Sequence, residues 1–205
     1  ILSGLVGSEM CIRDSPFTLG CGHCGYCRSG HSNLCPDVSM PGFNYNGGFA
    51  QYVAVPDADA NLVKLPDTVA FTDAAGMGCR LMTAYHGVVE VGRIHPGDWL
   101  VAYGAAGVGL SATHIATSAG ANVITVDIAD DKLELARKVG AAETINSRET
   151  NPVEAVRELT GGGADKSIDA LGIPDTLHDA VNSLRSGGVH IQIGMTPEGP
   201  AGDVP

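Results

Sequence analysis

From Pro96 to Gly194 the chain alternates short apolar runs with amphipathic stretches, and this alternation limits the fold more than any other feature. Trp99-Leu-Val-Ala-Tyr103 and Asn122-Val-Ile-Thr-Val126 are nearly unbroken in apolar and β-branched residues. A strand without a polar face has to be covered on both sides, as in a parallel sheet packed between helices. The segments between carry helix signals. Residues 107–118 are stopped by Gly120, and 130–139 present Leu133, Leu135, Ala136 and Val139 before Gly140 as a C-terminal cap. Asn151-Pro152 supplies an N-cap and a first-turn proline for a helix to about Leu159. Thr144-Ile-Asn146, Lys166–Leu171 and Gly188–Gly194 are further strands, with a helix to about Leu184 between the last two. The alternation predicts an α/β fold with a doubly wound parallel sheet.

The region before it is different. Cys21, Cys24, Cys27 and Cys35 follow one another at gaps of two, two and seven residues, among Gly20, Gly22, Gly25 and Gly30. Four thiolates at about 2.3 Å enclose one Zn²⁺ tetrahedrally, and two-residue gaps let neighbouring cysteines turn back on a single ion. Two disulfides or a dithiol redox pair are the rival readings of the same spacing. His23 sits between two better-spaced thiols. Phe49-Ala-Gln-Tyr-Val-Ala-Val55 alternates and predicts a strand, as does Asn61–Leu65. Residues 71–91 read as helix in one or two pieces, with Asp67 or Thr68 near its start.

A glycine turn joins the first strand of the alternating region to its helix. Gly104-Ala105-Ala106-Gly107-Val108-Gly109 has the strand–turn–helix context that gives the dinucleotide fingerprint its meaning. The N–H groups of the helix N-terminus there suit a pyrophosphate. Asp127 closes the next strand, where a carboxylate accepts hydrogen bonds from ribose hydroxyls and repels a 2′-phosphate, favouring NAD over NADP. Ala106 stands where the fingerprint has its second glycine.

The net charge of −11 opposes nucleic acid and anionic membrane surfaces, which need a basic footprint. No apolar run approaches the roughly 18 residues of a membrane span, and the start shows no secretory leader. A reduced thiol site in such a chain suits the cytoplasm.

The cysteine knuckle followed by this nucleotide fold resembles the zinc-dependent medium-chain alcohol dehydrogenase family, from about Pro16 to the end. The resemblance implies a GroES-like, β-rich catalytic domain, present in part, with a structural zinc lobe at Cys21, Cys24, Cys27 and Cys35. An incomplete Rossmann-type sheet follows it. Gly78-Cys79-Arg-Leu-Met-Thr83-Ala-Tyr85 is similar to the family segment whose cysteine is one of three ligands to a catalytic zinc, making Cys79 that ligand and placing Thr83 near the nicotinamide. By the same resemblance Lys132 lies near the adenosine ribose, and Ile193 and Gly194 lie beside the nicotinamide. His86, His95, His114, His178 and His190 are expected to be structural or exposed. The implied reaction is oxidation of a small-molecule alcohol to an aldehyde or ketone, with a Lewis-acid zinc and hydride transfer to NAD⁺. A homodimer or homotetramer is the implied assembly of the parent protein. Two alternatives remain at this level: a zinc-free NADPH-dependent reductase of the same superfamily, and a zinc-knuckle binding module.

Residues 5–15 resemble a translated sequencing adapter, Met10-Cys-Ile-Arg-Asp-Ser15 above all. The expected division is therefore 1–15 foreign, 16–80 partial GroES-like domain and 81–205 nucleotide domain. Relatives begin with some eighty or ninety further residues that carry two catalytic ligands, and they end with another sheet strand, often a dimer strand. The 205 residues alone are expected to be inactive.

Overall fold

The computed structural model describes residues 13–195, which divide between Cys79 and Arg80 into two compact units. Cys11 and most of the adapter-like segment lie outside the described residues.

In the first unit, β1 (Arg13–Asp14) pairs antiparallel with β2 (Val63–Lys64), Arg13 opposite Lys64 and Asp14 opposite Val63. Between them lie α1 (Gly25–Arg28), a 3₁₀ turn at Ser32–Leu34 and α2 (Ala58–Asn61). Leu19 and Ser39 exchange two backbone hydrogen bonds of 2.8 and 2.9 Å, closing the base of the cysteine loop. Buried Asn61 fixes that base: its side chain accepts from the Gly20 N–H at 3.0 Å and donates to the Gly20 carbonyl at 2.8 Å.

Two expectations fail here. Residues 49–55 form no strand, and Phe49 and Tyr52 are fully or nearly exposed. Alternation defines a face, but a strand also needs a partner edge and a core to bury that face. The predicted strand at Asn61–Leu65 shrinks to the two residues of β2.

A long helical stretch follows, as α3 (Phe71–Gly76), a π-helical segment (Met77–Leu81), α4 (Met82–Tyr85) and a second π-helical segment (His86–Val91). It starts at Phe71, as expected, with Ala70 as its N-cap, and a turn closed by Val69 N–H to the Pro66 carbonyl occupies Asp67 and Thr68 just before it.

The second unit is a five-stranded, fully parallel sheet. Its elements are β3 (Trp99–Tyr103), α5 (Gly107–Ser118), β4 (Asn122–Asp127), α6 (Asp130–Lys138), β5 (Glu143–Asn146), α7 (Pro152–Thr160), β6 (Ala164–Asp169), α8 (Pro174–Asn182) and β7 (Leu184–Gln192). The spatial order is β5-β4-β3-β6-β7. Successive residues serve opposite faces. Leu100, Val123 and Ile168 join Ala112 and Ala116 of α5 in one buried cluster, while Val101, Tyr103 and Ile124 join Val156 and Ala180 in the other. Both faces are covered, as the unbroken apolar runs require. The order reverses between β3 and β6, and ligands of such sheets bind at the carboxyl ends of the strands beside that switch.

Candidate functional site

The cysteine loop folds its four sulfurs inward. All four Sγ atoms lie within 4.8 Å of one another, and Cys24 Sγ and Cys35 Sγ are 3.9 Å apart. A tetrahedron of thiolates about 2.3 Å from one Zn²⁺ has edges of about 3.8 Å, so the sulfurs fit the ion. All four are free thiols. Backbone N–H groups point at them: Cys24 N–H to Cys21 Sγ, Cys27 N–H to Cys24 Sγ and Cys21 N–H to Cys35 Sγ, each at 3.4 Å. The N–H groups of His23 and Cys24 pull the Cys21 thiol down to about 6, whereas burial and the neighbouring thiols push Cys27 up to about 12. Crowded sulfurs cannot all ionise by themselves; a divalent cation lets them. The His23 ring turns away, its Nδ1 donating to the Cys21 carbonyl at 2.7 Å.

The glycine turn opens the second region. Gly104 has φ +97°, where a side chain is strained, and its N–H continues the β3–β4 ladder to Val126 at 2.8 Å. A Cβ on Gly109 would overlap the Gly104 carbonyl, so α5 lies as close to β3 as backbone permits. The N-cap of α5, Ala106, makes no side-chain cap bond, and no acidic residue stands in the first turn. The leading N–H groups of α5 are therefore left for an anion. Asp127 is 6% exposed and ties the turn to the next strand end. Its Oδ2 accepts from the Ala105 N–H at 2.7 Å, and Oδ1 from Ile128 and Ala129 at 2.8 and 3.1 Å. With a single N–H on Oδ2, that oxygen keeps a lone pair for a hydroxyl. Lys132 Nζ is 3.7 Å from Asp127 Oδ1. Val108 packs half-buried against the core below the turn.

A third cluster forms where the helical stretch crosses β7. Thr83, His86, Gly87 and Val91 face His190, Ile191, Gln192 and Ile193 across a cleft of about 340 Å³. The Ile193 and Gly194 N–H groups both donate to the Asp169 carbonyl, at 3.0 and 2.9 Å. Thr83 and Ile193, distant in sequence, thus share one cleft. Exposed Cys79, in the first π-helical segment, joins no group of three or more metal-ligating side chains among the described residues.

Comparison with known proteins fits both units. A zinc-binding dehydrogenase family model matches residues 107–204, and an alcohol dehydrogenase GroES-like domain model matches residues 5–67. An alcohol dehydrogenase of Geobacillus stearothermophilus is 35% identical over 178 residues, covering 87% of this chain and 52% of the relative. The chain belongs to the zinc-dependent medium-chain alcohol dehydrogenase family. Among solved structures, the alcohol dehydrogenase TADH from Thermus sp. ATN1 superposes with TM-score 0.86 at 34% identity, over 92% of this chain and 56% of that one. An NAD-dependent alcohol dehydrogenase superposes with TM-score 0.84 at 34% identity, over 93% and 55%. The chain spans about half the length of the curated relatives it matches. The GroES-like match starts at residue 5, inside the adapter-like segment. Among the described residues no helix is long and apolar enough to cross a membrane.

Within this dehydrogenase framework, Ala106 is tolerated because its backbone (φ −91°, ψ −166°) is extended and open to any residue. Asp169 carries no motif, yet it is fully buried beside the switch point, opposite Tyr103 in register. Its carboxylate accepts from the Leu171 and Gly172 N–H groups, the Thr176 hydroxyl and the Gln192 side-chain amide. The available signal was an acid closing a strand, as Asp127 does. No spacing marks His86, His190 or Arg80, and only the fold brings the two histidines to the cleft of Thr83.

Proposed function

We propose that these residues form the zinc-lobe and nucleotide-binding part of an NAD-dependent alcohol dehydrogenase acting on a small-molecule alcohol or aldehyde. The observation that carries the reading is the uncapped start of α5, bound through Ala105 to buried Asp127. The leading N–H groups of α5 donate to the pyrophosphate. Asp127 accepts from the adenosine ribose, and its charge repels a 2′-phosphate. Lys132 pairs with that carboxylate and flanks the ribose. Thr83, Ile193 and Gly194 border the nicotinamide, with Ile191 and Ile193 keeping water from that side. Cys21, Cys24, Cys27 and Cys35 hold a structural zinc, while Cys79 is one ligand of a catalytic zinc in the longer protein. When bound, NAD⁺ accepts hydride and a catalytic zinc polarises the alcohol oxygen.

The reading extends to a cytoplasmic homodimer or homotetramer, with residues 16–80 belonging to the catalytic domain and 81–205 to the nucleotide domain. Residues 1–15 are read as foreign; the two-residue β1–β2 pairing uses backbone groups that any sequence offers, and resequencing the locus decides.

Thermal shifts with NAD⁺ and NADP⁺ test the cofactor, since a ligand bound only by the folded state raises stability by RT ln(1+[L]/Kd). NAD⁺ is expected to raise the melting temperature and NADP⁺ to do so less. Asp127→Asn should narrow that difference. A larger shift with NADP⁺ would favour the reductase alternative, and no shift with either would remove the nucleotide reading.

A further inference from the structure

Arg80 follows Cys79 directly in the first π-helical segment. Its stem lies on the glycine turn: a Cβ at Gly107 would overlap Arg80 Cδ and come within 2.9 Å of Nε and 3.2 Å of Cγ. A glycine at 107 is what lets the arginine lie there. The side chain is exposed, and among the described residues no carboxylate or carbonyl pairs with its guanidinium, in a chain of net charge −11. Elsewhere Lys132 pairs with Asp127 and Arg185 with Asp165. The setting makes an unpaired cation costlier still. The start of α5 carries positive partial charge with no acidic residue in its first turn, and the cation sits beside it. An anion at this point relieves both.

We infer that Arg80 is a binding residue for the cofactor's pyrophosphate, closing over it from the helical stretch while the α5 N–H groups hold it from below. This rests on the dinucleotide reading given above. A guanidinium presents parallel N–H donors that match two phosphate oxygens, which an ammonium cannot do. It also compensates for Ala106, whose methyl group stands where the fingerprint's second glycine lets the backbone approach the phosphates more closely.

Calorimetric titration of the zinc-loaded chain with ADP-ribose and with adenosine tests the assignment in wild type, R80A and R80K. Arg80→Ala should raise the Kd for ADP-ribose about tenfold or more, leave adenosine binding and the melting temperature unchanged, and flatten the salt dependence of ADP-ribose binding. Arg80→Lys should fall between. ADP-ribose binding by R80A as tight as wild type, or tighter, overturns the inference and makes Arg80 a side chain that the ligand displaces. Parallel weakening of adenosine and ADP-ribose also overturns it, because Arg80 would then be shaping the fold. If wild type binds no ADP-ribose, the dinucleotide reading falls and takes this assignment with it. Wild-type binding with an indifferent R80A removes the assignment alone.

Discussion

Among the described residues of the first unit, the buried apolar side chains are Leu19, Ala58 and Ala74 with Cys21 and Cys35, so the fold there rests on a few contacts around a ring of sulfurs. The sheet unit instead buries both faces, with Leu100, Val101, Ala102, Val123, Ile124 and Ile168 at 0% exposure. One unit is organised by groups that want a cation, the other by apolar area removed from water. The two should therefore fail under different treatments.

Metal removal should separate them most sharply. Structural zinc sites contribute about 10–16 kcal/mol of apparent binding energy, far beyond what so small a core supplies. A strong chelator should abolish amide protection over 16–64 in hydrogen exchange and leave β3, β4 and β6 protected. Metal analysis should give one zinc per chain, lost in Cys35→Ser. Protection of the lobe that survives complete zinc loss would break the comparison. In the opposite direction, Ile124→Ala should cost about 2–5 kcal/mol of sheet stability in denaturant unfolding, with zinc content unchanged.

Smaller changes sharpen the contrast inside the sheet unit. Asn151 caps α7 through hydrogen bonds from the Val153 and Glu154 N–H groups, at 3.0 and 3.3 Å. Asn151→Ala should cost about 1 kcal/mol. Adding a capping side chain at Ala106 of α5 should stabilise the helix yet weaken NAD⁺ binding, because it would take up the N–H groups that the proposed reading gives to the pyrophosphate. The smallest effect concerns pH. Burial raises the Asp165 carboxyl, but the Trp99 N–H and the Arg185 guanidinium outweigh it and hold the group below the usual aspartate value. Its contribution is present above the unfolded-state pKa and disappears as pH falls through the lower folded value. Asp165→Asn should flatten the acid limb of sheet stability without moving zinc affinity.

The sheet was legible because its signal is written in consecutive residues. Apolar runs gave β3 and β4, and Gly120, Gly140 and Asn151-Pro152 marked helix ends that the structure keeps. β6 runs over Ala164–Asp169, two residues earlier than the expected 166–171, and the larger departure is β7, which begins at Leu184, four residues before Gly188. Its first part is polar and pairs with β6 only across an irregular register between Ala164 and Lys166, which no periodicity announces. The first unit was legible in its cysteines and little else. Phe49–Val55 alternates as a strand would, but strand formation depends on a partner that local pattern does not encode. The π-helical segments around Thr83 look like ordinary helix in sequence. Arg80 and Asp169 escaped because their meaning lies in what they meet across the fold, Gly107 in one case and the strand-end N–H groups in the other.

The amide of Asn61 has a consequence for how the first unit comes together. By gripping both backbone groups of Gly20 it closes a loop of 41 residues, and the Cys21 N–H donating to Cys35 Sγ closes one of 14 inside it. The entropy of loop closure grows only slowly with length, so the outer ring adds little to what the inner one already demands. The expected order is that a bound ion draws the short ring tight, Gly20 is then held next to a fixed knuckle, and Asn61 latches onto a target that no longer diffuses. Asn61→Ala should leave zinc uptake nearly as fast as before while slowing the appearance of amide protection at 58–64. In that order the knuckle serves as a nucleus for its neighbours, and the latch closes last.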